Sequence, residues 1–304
     1  MVEWNPLILD DREPVRDFFT RFPPNISEHT FANLFAWAEH RPIAWAVLDD
    51  ALCVVQEPDG DRSLLGPLRG DLALADAVDR LVEEGIKVFG RLPEEAAREL
   101  EERGLEVVPD RDNSDYVYRR EDLAELAGRD YHREKNLVNR CLSRYDCEYE
   151  EVTADNLDEV AEMQDRWCDE KDCGEDRGLC AEYRAIRRTL EHYGALDLIG
   201  AAVRIEGRIE AYSVGEVLRP DTGVVHFEKA MTEFDGLYQV INQWFCRDAL
   251  PEVEFVNREQ DLGIPGLRRA KESYNPHHMV DKYVAGLDPV ELKAADEGRC
   301  PEQN

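Results

Sequence analysis

Residues 224–283 hold three consecutive pieces: VVHFEKA (224–230), EFDGLYQVINQWF (233–245) and EFVNREQDLGIPGLRRAKESYNPHHMVDKY (254–283). The first is an apolar strand interrupted by His226, Glu228 and Lys229. The second carries Leu237, Val240, Ile241, Trp244 and Phe245 on one stripe and predicts an amphipathic helix over DGLYQVINQWFCRDAL. The third begins as a short strand that ends in Asn257, Arg258 and Glu259. A charge inside a strand must be paired or solvated, and both are costly. So many titratable groups mark this stretch as the candidate site and the remaining chain as its scaffold.

Upstream, residues 195–230 read as three successive strands with turns at Glu206-Gly207 and Pro220-Asp221. Before them come CEYEEV as a strand, the amphipathic helices NLDEVAEMQDRWCDEK and AEYRAIRRTLEHYG, and the helices EDLAELAG and RDYHREKNLVNRCLSRY. After the 254–259 strand come a helix over IPGLRRAKESY and a closing strand, KYVAGL. The first half opens with two helical patterns, DDREPVRDFFTRF and SEHTFANLFAWAEH, the second with Ser27 as its expected cap. It continues with a hairpin over AWAVLDDALCVVQE, the segment SLLGPLRG, and alternating helices and strands to residue 118. The expected division is therefore 1–118, 119–290 and an acidic, weakly ordered tail over 291–304.

Composition limits the function. The chain has 304 residues, 43% of them hydrophobic, and a formal net charge of −30. That supports a real core and excludes a disordered chain. Seven lysines stand against thirty arginines, and acid is spread along the whole length. Such a surface suits a salty cytosol, where counterions screen self-repulsion, and it argues against general affinity for nucleic acid, which needs a basic footprint. No apolar run approaches the ~20 residues that span a bilayer, and the N-terminus is acidic where a signal peptide is basic. A cytoplasmic protein without a transmembrane segment is expected. Eight cysteines include the cluster Cys168, Cys173 and Cys180. Its spacing matches no zinc pattern, so reduced thiols and no metal are the expectation.

The order strand, helix, helix, three antiparallel strands, helix, strand, helix, strand in the second half resembles the GNAT acyltransferase fold. The first half is a looser version of that plan. HFEKA, DGLYQVINQWF, NREQDLGIPGLRRAKESYNP and LAGRDYHREKN resemble the soluble bacterial and archaeal proteins related to the C-terminal domain of phosphatidylglycerol lysyltransferase. The resemblance implies an α/β (α+β) chain of two fused GNAT-like domains, each a mixed, mostly antiparallel sheet flanked by helices, as in the Fem-type aminoacyltransferases. It also implies transfer of an acyl or aminoacyl group to an amine or hydroxyl, with a small molecule or aminoacyl-tRNA as donor. The membrane-spanning part of the lipid-modifying relatives is absent from this sequence. The alternative is a non-catalytic tandem module that binds a small anionic ligand or a protein partner.

GNAT enzymes cradle coenzyme A pyrophosphate in a turn that reads Gln/Arg-x-x-Gly-x-Gly/Ala. Here the turn is Glu233-Phe234-Asp235-Gly236-Leu237-Tyr238, and only the middle glycine matches. Tyr238 crowds a position that needs a small residue, and the two acids oppose a phosphate. No cofactor is expected, coenzyme A included.

Strand alternation places His226, Glu228 and Ala230 on one face, Phe227 and Lys229 on the other. Glu228 or His226 then offers a general base and Lys229 an oxyanion partner. The competing reading is a structural ion-pair network with Arg258 and Glu259. Asn257, Arg258, Glu259 and Asp261 end a strand before a Gly-rich loop, a common ligand position, or they satisfy loop backbone. Arg268, Lys271 and Tyr274 follow at helical spacing, as do Arg133, Asn136 and Arg140 beside Lys135. Residues 129–144 hold five basic and two acidic side chains, a local +3 in an acidic chain. That face suits an anion or a tRNA acceptor end, or is a salt-bridged, solvated helix. Tyr238 completes the set of candidate substrate contacts.

Overall fold

The computed structural model describes residues 2–57 and 62–287; the tail expected over 291–304 lies outside them. In chain order the elements are β1 Asn5–Pro6, α1 Arg12–Arg21, α2 Phe31–Trp37, β2 Ile43–Leu48, β3 Ala51–Gln56, β4 Ser63–Leu65, α3 Leu74–Glu83, β5 Val88–Leu92, α4 Glu94–Glu102 and β6 Glu106–Pro109. There follow β7 Asp115–Arg119, α5 Arg120–Glu125, α6 His132–Arg144, β8 Cys147–Glu151, α7 Leu157–Glu170, α8 Arg177–Glu191, β9 Ile199–Ile205, β10 Arg208–Arg219 and β11 Thr222–Ala230. The last are α9 Leu237–Trp244, a π turn Phe245–Ala249, β12 Phe255–Asn257, α10 Pro265–Glu272, β13 His278–Val280 and β14 Tyr283–Gly286.

Two compact units result, one built from residues up to Ser114 together with the segment from Val280, the other from Asp115 to Met279. The sequence-based division at residue 118 differs from this in two places. Strand β7 pairs with β12 in the second sheet. The closing strand β14 leaves the second unit and pairs with β5 and β6 in the first sheet.

The first sheet runs β1-β2-β3-β4-β5-β14-β6. Its apolar face packs against the stripes of α3 and α4, with Phe89, Leu81 and Leu100 fully buried. Beneath β14, Lys282 is wholly buried and donates to Glu28 at 2.6 Å, which also accepts from Arg91 at 2.9 Å. Burial alone would raise the Glu28 pKa, but Lys282 and Arg91 outweigh it and hold the carboxyl at about 2. Helix α2 is capped by Thr30, whose hydroxyl accepts from the Asn33 amide at 3.1 Å; the expected cap, Ser27, is buried instead.

The second sheet runs β13-β7-β12-β11-β10-β9-β8; from β7 to β8 its pairs are antiparallel except β11 with β12. Helices α5, α6 and α9 pack on it around Val240, Ile241 and Phe245. The long helix read over residues 235–250 is α-helical only to Trp244 and then widens into the π turn. At the start of α9, Gly236 has φ +94° and lies so close to α6 that a Cβ would meet the Leu137 carbonyl oxygen at 2.3 Å. Only glycine satisfies both demands.

Candidate active site

The polar strand β11 is not a regular alternating strand. Phe227 lies opposite Val214 and Val225 opposite Gly215, so His226 is an extra residue without a partner. A β-bulge of this kind re-aims side chains. His226 consequently turns toward Glu216, while Glu228 turns toward Asn242 of α9. This corrects the alternation expected from the sequence, which placed His226 and Glu228 together. Gly215 makes the bulge possible, because a Cβ there would meet the Val224 carbonyl oxygen at 2.0 Å.

Glu228 is the centre of one constellation. Its carboxylate accepts from Arg258 at 2.9 Å and from the Asn242 amide at 3.0 Å. The Arg258 guanidinium lies 4.8 Å from the Tyr274 ring centroid and 5.7 Å from that of Tyr118. Burial alone would lower its pKa; Glu228 reverses this and raises it, so the guanidinium stays charged. The second terminal nitrogen of Arg258 is buried and meets no acceptor among the described residues. Lys271, also buried, donates its ammonium to the Arg258 carbonyl oxygen. Burial, and then the neighbouring Arg258 charge, lower the Lys271 pKa to about 8. The Tyr118 hydroxyl fixes the turn by donating to the Lys271 carbonyl at 2.8 Å.

Tyr274 joins this constellation to a cavity of about 250 Å³ between α6, α9 and α10, lined among others by Arg133, Glu134, Gln239 and Arg269. Of the residues expected to bind substrate, Arg133 and Tyr274 line this space. Lys135 and Asn136 are exposed elsewhere on α6. Arg140 is held by Asp235 at 2.7 Å, with Arg144 at 4.0 Å. The cationic helix face is therefore partly spent on closing the α9 turn.

The other expected residues form two separate groups. His226 bridges Glu259 at 2.8 Å and Glu216 at 2.9 Å through both ring nitrogens. Burial alone would lower its pKa, but the two carboxylate hydrogen bonds outweigh it and lift the imidazole to about 9; burial raises Glu259 as well. Nearby, Asp261 takes two hydrogen bonds from Arg268, each 2.9 Å, and one from Tyr116 at 2.7 Å. Asn257 links the loop to β7 through Asp115 at 3.0 Å and accepts the Glu259 amide at 2.8 Å. On the opposite face, Lys229 pairs with Glu182 at 2.8 Å over the Trp167 ring, and Trp167 donates to the Tyr238 hydroxyl at 3.0 Å. Thus Glu228, Arg258, Lys271 and Tyr274 are brought together, and Lys229 and Tyr238 are not with them. Asn242, Tyr118, Glu134 and Arg269 were not singled out from the sequence. Among the described residues, no group of three or more His, Cys, Asp or Glu is placed to hold a metal ion.

Both sheets with their helices define a tandem GNAT-like α/β protein. The chain belongs to the family of the phosphatidylglycerol lysyltransferase C-terminal domain, whose model matches residues 19–286. It is similar to a conserved protein of unknown function from Bacteroides thetaiotaomicron, with 30% identity, TM-score 0.89, and 95% of this chain and 100% of that one covered. It shares its fold with the C-terminal domain assigned to a lysylphosphatidylglycerol synthetase from Agrobacterium fabrum (15% identity, TM-score 0.72, 94% of each chain). It shares it also with L-PGS from Bacillus licheniformis (13% identity, TM-score 0.67, 96% and 98%). No curated protein matches the sequence. Among the described residues no helix is long and apolar enough to cross a membrane.

Proposed function

We propose that the protein is an acyl or aminoacyl transferase that delivers its group to an amine or hydroxyl acceptor in the second unit. The observation that carries this reading is the arrangement around Arg258: a buried guanidinium paired with Glu228, one terminal nitrogen that meets no acceptor among the described residues, and the buried Lys271 ammonium on the Arg258 carbonyl oxygen. Burying this lysine costs free energy, and burial together with the Arg258 charge lowers its pKa to about 8. A base that titrates near the working pH is suited to taking a proton from an attacking amine or hydroxyl. Arg258 has a buried donor with no acceptor among the described residues, which suits a developing oxyanion, and Glu228 with Asn242 holds that guanidinium in place. In this reading His226 and Glu259 position the 257–261 loop, because both imidazole nitrogens are already engaged.

Family membership supports transfer chemistry, and relatives named as lysylphosphatidylglycerol synthetases make an aminoacyl donor the first choice. The reading uses no coenzyme A. The α9 turn supports that, since Asp235 is tied to Arg140 and Gly236 is pressed against α6. The test is transfer of labelled aminoacyl groups, from a panel of aminoacyl-tRNAs and acyl-CoAs, into cell-extract acceptors at high salt. We expect Lys271→Met and Glu228→Gln to lose roughly 10²-fold or more, the usual worth of a positioned proton acceptor. The wild-type rate should climb as pH rises toward about 8 and then level, because the neutral amine is the active form. Binding without transfer across the panel would show instead a non-catalytic module for small anionic ligands, a reading favoured by Arg133 and Arg269, which line the cavity and pair with no acid among the described residues.

A further inference from the structure

The cavity beside Tyr274 holds a group that the transfer reading does not use. Glu134 is 3% exposed and lines the space, yet its carboxylate accepts no hydrogen bond and pairs with no cation among the described residues. It stands in the first turn of α6, where a negative charge is favoured by the helix dipole, but it makes no cap hydrogen bond. Its oxygens are not among the fully enclosed polar atoms and keep access to the cavity. Two guanidinium groups, Arg133 and Arg269, border the same cavity, and neither pairs with an acid among the described residues. Gln239 and Tyr274 line it as well, and neither the Gln239 amide nor the Tyr274 hydroxyl has a hydrogen-bond partner among the described residues.

Five polar groups therefore converge on one space and leave their hydrogen-bonding capacity unused. Their signs matter. A phosphate dianion would be drawn by the arginines but repelled by Glu134, and a simple amine would meet the reverse. A molecule with an ammonium at one end and a carboxylate at the other satisfies both. About 250 Å³ is below the ~300–1,000 Å³ of ordinary cofactor and drug sites, so the occupant is small. We propose that this cavity binds a zwitterionic α-amino acid or dipeptide, with its ammonium on Glu134 and its carboxylate between Arg133 and Arg269. The inference rests on the transferase reading only in making this molecule the natural acceptor; the binding itself needs no turnover.

The experiment is saturation-transfer NMR on the full chain at high salt, without any donor. One arm uses an equimolar pool of the twenty amino acids and another glycylglycine, which separates the two sources of the zwitterion. Further arms use the N-acetylated pool, the carboxamide pool and inorganic phosphate. We expect binding of at least one zwitterion, with affinity at least tenfold lower after N-acetylation or amidation. Glu134→Gln should lose about tenfold for the zwitterion. Arg269→Gln, an exposed substitution that does not threaten folding, should lose discrimination against the carboxamides. Absence of binding in both zwitterion arms would overturn the inference. So would binding that survives N-acetylation and Glu134→Gln, or phosphate competing as well as the amino acids. If transfer persists while these arms fail, the transferase reading stands alone; if binding holds without transfer, the cavity assignment stands alone.

Discussion

His226 shows how one side chain can change the meaning of a motif. In the sequence it offers a general base. In the fold both of its nitrogens serve carboxylates, and its side chain is 3% exposed. Its pKa in the folded chain is about 9 against an ordinary 6.5. Because the folded value is the higher one, the stabilisation is complete below pH 6.5 and disappears as pH rises through about 9. The shift corresponds to at most about 3 kcal/mol, part of which the raised Glu259 offsets. We expect wild-type stability to fall between pH 7 and pH 10 more steeply than that of His226→Gln, measured by urea denaturation at each pH. Parallel curves for the two proteins would mean that the bridge contributes no proton linkage.

At the scale of elements, the bulge in β11 decides which side chains meet. It exists because Gly215 has no Cβ, and the Val224 carbonyl occupies that space. Gly215→Ala forces the two strands apart and should cost at least about 3 kcal/mol, comparable to the larger core substitutions. Far-UV circular dichroism and urea unfolding would measure it, and a cost below about 1 kcal/mol would mean the strands separate freely. The bulge also explains what was readable in advance. Helix α9 and the β9–β10–β11 meander could be read from apolar periodicity, since local pattern and tertiary packing agree there. Glu228, Arg258, Lys271, Tyr274 and Arg133 could be read as candidates, since charges and phenols beside apolar segments need a reason. The bulge is set by a cross-strand close approach. Its one local sign, Gly215 inside a strand pattern, does not say which side chain of the partner strand is re-aimed, so the faces of His226 and Glu228 could not be separated. Glu134 was hidden for a related reason: it lies in a charged helical run whose usual fate is solvation, and only the tertiary fold buries it. The return of β14 to the first sheet is a long-range pairing that the order of elements does not encode.

At the scale of the whole molecule, 67 acids stand against 37 bases. Salt acts on them in two directions. It weakens exposed unlike pairs such as Arg80–Asp49 and Arg98–Glu94, which are worth little to begin with. It also relieves repulsion among the thirty uncompensated charges, and this second effect dominates because an excess of that size outweighs exposed pairs of small individual worth. The Debye length falls from ~10 Å at 0.1 M to ~3 Å at 1 M, so most of the relief comes in that interval. We expect the melting temperature to rise by roughly 5 °C or more between 0.1 and 1 M KCl, with a smaller gain beyond. Trp4, Trp37 and Trp45 report on the first unit and Trp167 and Trp244 on the second, so Trp→Phe variants resolve the two transitions by fluorescence. A melting temperature that is flat or falls over this interval would mean that the unlike pairs govern. A rise confined to one unit would place the repulsion there and leave the other unit to be stabilised by its core.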